Sequence, residues 1–91
     1  MKQYVVRVVN EVLVELDETK FTPEFMEEFS RVIYKFDTVK EHAEHLGWLI
    51  ATGRADVFDT VIEGYGDVDQ FGLSFQEIES WVSDISEVEN G

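Results

Sequence analysis

Leu73–Ile85, LSFQEIESWVSDI, decides the fold because it satisfies two periods at once. Ile78, Trp81, Val82 and Ile85 recur at helical spacing, and Ser74 followed by Glu77 would cap such a helix. The serines and branched residues of the same stretch lower its helix propensity and suit a strand. A strand is therefore expected here. With it the chain becomes a mixed α+β protein rather than a small helical bundle.

The N-terminal segment supplies a partner for that strand. In Tyr4–Leu16, YVVRVVNEVLVEL, the residues Tyr4, Val6, Val8, Val12, Val14 and Leu16 share one parity, and Arg7, Glu11 and Glu15 share the other. A hairpin at Asn10–Glu11 would bring Arg7 onto the face of Val12 and Val14, so one continuous or bulged strand explains the pattern better. Two helices follow. Thr22 is placed as an N-cap with Pro23 at the first helical position, and a stripe of Phe25, Met26, Phe29, Val32, Ile33 and Phe36 carries the first helix to about Phe36. Thr38-Val39-Lys40-Glu41 is a capping box opening a second helix from Val39 to about Thr52, stopped by Gly53.

Val57–Ile62, VFDTVI, is short and rich in branched and aromatic residues, which predicts another strand. Gly64, Gly66 and Gly72 then mark a turn-rich connection, and Ser86–Gly91 reads as a frayed tail. The resulting order is β-α-α-β-β. The expected architecture is a two-layer α+β domain spanning residues 1–91, an antiparallel sheet covered on one face by two helices, with the opposite face solvated and acidic.

At 91 residues the chain fits one domain, which buries only about 60 to 65 per cent of its unfolded surface. With 44% hydrophobic and 13% aromatic residues it has the composition of a folded protein rather than of a disordered acidic tail. The absence of cysteine excludes disulfides, thiolate metal sites and thiol nucleophiles. Arg7 interrupts the apolar start of the chain, and no apolar run approaches the roughly 20 residues of a membrane span, so a cytoplasmic protein is expected.

The formal charge is −13, and it is unevenly placed. Residues 1–40 carry eight acids and six bases, whereas residues 41–91 carry twelve acids and only Arg54. A surface of that kind repels DNA, RNA and anionic lipid, because each phosphate contact requires a cation.

Several local patterns invite a chemical reading. Val61–Gly72, VIEGYGDVDQFG, fits an EF-hand at Asp67, Asp69 and Gly72 but places Phe71 and Ile78 where two further ligands belong. The glycines of the same loop do not make a phosphate cradle, since no lysine accompanies them and the carboxylates would repel the anion. Their expected role is to bend a connection that Tyr65 and Phe71 pin to the core. His42 and His45 are three residues apart rather than the four of a His-Glu-x-x-His zinc helix, and are expected on a half-exposed helix surface. Ser74 lies in Gly72-Leu73-Ser74-Phe75-Gln76, which lacks the second glycine of a nucleophile elbow. No catalytic residue, cofactor or metal site is assigned.

What remains is the acidic surface. On a strand, carboxylates at i and i+2 stand about 6.6 Å apart on one face, so Glu77 and Glu79 are expected to form an ordered row that imitates a phosphate backbone. The candidate partner-binding residues are Asp56, Asp59, Glu63, Asp67, Asp69, Glu77, Glu79 and Asp84. Their partner would be a basic groove that otherwise holds nucleic acid. With Glu87 and Glu89, these acids give the chain a resemblance in class to the small acidic inhibitors of bacterial defence made by phages and mobile elements, the anti-CRISPR and anti-restriction proteins. That resemblance implies a stoichiometric, non-enzymatic inhibitor occupying a basic DNA- or RNA-binding groove of a defence complex; a monomer or homodimer is expected. Two other readings stay open: an immunity protein or antitoxin neutralising a basic nuclease or toxin by the same electrostatics, and an adaptor or homodimeric scaffold in which an exposed apolar patch including Trp48 or Trp81 matters more than the acids.

Overall fold

A computed structural model of the chain describes residues 1–88. It is a two-layer α+β protein. The chain runs through β1 (Gln3–Glu15), a 3-10 turn (Glu18–Lys20), α1 (Pro23–Val32), α2 (Val39–Ala51), β2 (Val61–Ile62), β3 (Gly66–Asp67) and β4 (Ser74–Val88). All of the stretch LSFQEIESWVSDI after Leu73 thus resolves as a strand, paired antiparallel with β1 from Gln3 opposite Val88 to Glu15 opposite Ser74. The strand continues through Ser86–Val88, which the sequence reading assigns to a frayed tail; residues 89–91 lie outside the described residues. Gln3 and Val88 are ladder partners, so pairing with the N-terminus is what extends β4.

The sheet differs in detail from the expectation. β1 and β4 form a two-stranded ribbon by themselves, and Val61–Ile62 pairs instead with Gly66–Asp67 in a separate small hairpin. The expected strand from Val57 does not form because two aspartates compete for its backbone. Asp56 accepts from the amide of Phe58 at 2.9 Å, and Asp59 accepts from the amide of Asp56 at 2.9 Å. These side-chain caps close a turn in place of a ladder, and they leave Phe58 88% exposed.

Both helices begin where their caps place them. Thr22 Oγ1 accepts from the amide of Phe25, and Thr38 Oγ1 accepts from the amide of Glu41, each at 3.2 Å. α1 stops at Val32 rather than continuing to Phe36. The reason lies in the rings. Phe36 stacks on Phe29 with centroids 5.6 Å apart, whereas seven residues of continuous helix would separate them by about 10.5 Å. The chain must leave the helix for Phe36 to fold back, and Ser30 secures the reversal by donating its hydroxyl to the Phe36 carbonyl. α2 ends at Ala51, and Gly53 follows at φ 74°, in the left-handed region.

The core does not lie in the ribbon. Phe21 and Phe29, Leu46 and Ile50 of α2, and Ala55, Ile62, Tyr65, Val68 and Leu73 of the connecting segment form one buried cluster. α2 packs chiefly on β1, where Val12 and Val14 are half-buried. Beyond that point the ribbon runs on without a covering layer, giving the molecule extents of 54 × 26 × 18 Å.

Candidate functional site

The acids singled out in the sequence do not converge on one surface row. Asp56 and Asp59 are occupied in the turn after α2, as described. Asp67 Oδ1 accepts from the amide of Gln70 at 2.9 Å and closes the turn that follows β3. Glu63 lies in the β2–β3 connection, and Asp69 lies in the turn beyond β3. Asp84 sits opposite Arg7 on the ribbon, with 3.9 Å between carboxylate and guanidinium. Glu87 is similarly placed 3.9 Å from the Lys2 ammonium. Glu89 falls outside the described residues.

The expected row of Glu77 and Glu79 is broken by the register. Ladder partners share a face. Glu79 is opposite Glu11 and Glu77 is opposite Val12, and these two neighbours on β1 point to opposite faces. The cause is a bulge at Ile78, one of two on β4; the other is at Ser83, whose hydroxyl donates to the Arg7 carbonyl at 3.2 Å. The sheet face turned away from the helices is likewise not uniformly acidic. It carries Val5, Val9, Leu13 and Trp81 among its charges.

The two histidines separate in kind. His42 is fully buried, in place of the half-exposed helix surface expected for it. Its Nδ1 lies 2.8 Å from the Tyr65 hydroxyl, and its ring packs edge-on against Phe29 and Phe36. Nε2 has no hydrogen-bond partner among the described residues. Burial, with a smaller contribution from His45, pushes the His42 pKa below its ordinary value against the opposing pull of Glu41. Burial likewise holds the Tyr65 phenol well above its ordinary value, so it stays protonated. Among the described residues no three His, Asp or Glu side chains converge as a metal site.

A cleft of about 490 Å³ lies between the end of α1, α2 and β2. His45 lies edge-on to Tyr34 at 5.2 Å and stacked with Trp48 at 6.2 Å. The Arg54 guanidinium covers the Trp48 ring at 4.6 Å from its centroid, and Asp59 and Glu63 also line the cleft. This grouping was invisible in the sequence, where Tyr34, Arg54 and Glu63 are far apart and carry no motif. Its one signal was that Arg54 is the single base after residue 40.

The second exposed feature is the free half of the ribbon. Tyr4, Val6 and Val8 on β1 and Val82 and Ile85 on β4 share one face by register, with exposures between 46% and 59%. Among the described residues no helix is long and apolar enough to cross a membrane. Comparison with protein-family models, with curated proteins and with solved structures finds no match to the chain.

Proposed function

We propose that the protein is a non-enzymatic binding protein that occupies a basic, nucleic-acid-binding surface of another protein. One observation carries this reading. Asp56, Asp59, Glu63, Asp67, Asp69, Glu77 and Glu79 have no basic side chain within ion-pair distance among the described residues, while the few bases are spent largely on the ribbon and the helices. Uncompensated charge of one sign raises the encounter rate with an oppositely charged surface and makes binding salt-dependent. The acids are spread over the turns and the middle of the ribbon, so the mimicry is of a charged body rather than of a straight phosphate row. Basic grooves of bacterial defence complexes are the partners to test first. A basic nuclease held by its immunity protein offers the same chemistry.

The test uses acids whose carboxylates accept no hydrogen bond among the described residues. The combined variant Glu63→Gln, Asp69→Asn, Glu77→Gln, Glu79→Gln keeps side-chain shape and removes four charges. Capture of partners from bacterial lysate, eluted with rising salt, should yield a basic protein that competing DNA or RNA displaces. The variant should release it at lower salt with an unchanged circular dichroism spectrum. Undiminished, salt-resistant capture by the variant would refute the reading.

A further inference from the structure

A two-stranded ribbon has two free edges, and here they are unlike. β4 is bulged at Ile78 and Ser83 and carries Glu77, Glu79, Asp84 and Glu87. Bulges and charges are how sheets block pairing with another chain. The backbone of β1 has no extra residue over Gln3–Glu15, contains no proline and is rich in valine, so its edge is open. An isolated ribbon is marginal in water, and half of this one runs past its covering helix with an apolar face exposed.

We propose that two copies of the chain pair through their β1 edges, antiparallel about a two-fold axis at Val9, to form a four-stranded sheet ordered β4-β1-β1-β4. Charge selects both the partner and the register. A two-fold axis perpendicular to the sheet keeps equivalent faces on the same side, so facing residues have the same parity and the axis passes through one residue position. An axis at Arg7 or at Glu11 would set that residue against its own copy. An axis at Val8 or Asn10 would oppose both charges to apolar side chains. With the axis at Val9, Arg7 faces the partner's Glu11 and Glu11 faces the partner's Arg7. The pairing also relieves a conflict within the chain. Glu11 is opposite Glu79 on the ladder, and among the described residues no base lies within ion-pair distance of either. Like charges directly opposite destabilise a sheet, and the partner's Arg7 would stand beside this pair.

The same register fills a second vacancy in the packing. An open groove of about 470 Å³ lies along the contact of β1 with α2, lined by Val12, Val14, Ala43, Gly47, Trp48 and Ala51 among others. With the axis at Val9, the partner's Val6 faces Val12 and the partner's Tyr4 faces Val14, so the exposed arm of one copy enters the groove of the other. The two acidic bodies then sit at opposite ends of the sheet, where their repulsion is weakest.

The test is mass in solution. Light scattering should give twice the 10.5 kDa protomer mass for the native chain. Arg7→Glu and Glu11→Arg each set like charges opposite at both symmetric contacts, and each should weaken self-association by roughly tenfold or more. An equimolar mixture of the two variants restores both contacts and should recover the dimer mass. The chain has no cysteine, so Val9→Cys should cross-link to itself on oxidation, while Val5→Cys, whose opposite residue is Leu13, should not. A monomeric native chain, single variants that dimerise undiminished, a mixture that stays monomeric, or equal cross-linking at both positions would each overturn the proposal. Capture of a foreign strand by a monomeric β1 would appear as the first of these. None of these measurements involves a basic partner, so they stand apart from the function proposed above.

Discussion

The Tyr65 hydroxyl lies 2.8 Å from Nδ1 of His42 and joins α2 to the glycine-rich turn through a buried hydrogen bond. Phe21, Phe25, Phe29 and Phe71 surround the pair, so water does not replace the bond when it is lost. Tyr65→Phe leaves the imidazole buried without a partner and should cost about 1–3 kcal/mol of unfolding free energy. Urea denaturation followed by tryptophan fluorescence measures the difference.

His42 also sets a pH dependence. Burial holds its folded pKa below the ordinary value of about 6.5, and His45 is shifted in the same direction by burial. Below that pH the unfolded chain takes up protons that the native chain does not. Stability is therefore fully present above pH 6.5 and declines as the pH falls toward the folded pKa. His42→Gln should flatten this part of the profile, as read from denaturation midpoints between pH 7 and pH 5. An unchanged slope in the variant would remove His42 as the cause.

Gly64 and Gly53 separate backbone strain from steric conflict. Both have positive φ, 90° and 74° respectively. A Cβ at Gly53 meets nothing within 4 Å, whereas at Gly64 it would stand 2.6 Å from the ring of the buried Phe29. Gly53→Ala should cost about 1 kcal/mol from conformation alone, and Gly64→Ala at least 2 kcal/mol more from the displaced ring. Thermal unfolding of the two variants side by side tests the ranking.

Arg54 over Trp48 is half-exposed chemistry with a direct optical readout. Arg54→Ala should shift the emission of Trp48 while lowering stability by no more than about 1 kcal/mol. Trp81 contributes to the same spectrum, so the comparison belongs in a Trp81→Phe background.

Much of the fold was legible because its signals are local. Thr22, Thr38 and Gly53 mark helix ends through bonds reaching two to four residues, and the even-parity valines of β1 announce a strand with one apolar face. The sites were less legible. Asp56, Asp59 and Asp67 read as surface charge but serve as turn caps, a role that depends on backbone dihedrals rather than on residue type. His42 read as a surface residue because helical spacing alone does not say that four phenylalanine rings from other segments will close over it.

The sequence by itself determined the two long strands and two helices in their order, the helix N-caps, the net charge and the apolar parity of β1, because each depends on neighbours within a turn or on composition. Only the tertiary structure decided that the short hairpin stands apart from the ribbon, that bulges at Ile78 and Ser83 part Glu77 from Glu79, and that α2 covers only half of β1. The bulges are set by pairing between Gln3–Glu15 and Ser74–Val88, some sixty to eighty-five residues apart, and the cover by Val39–Ala51 packing on β1, where packing and not local preference decides.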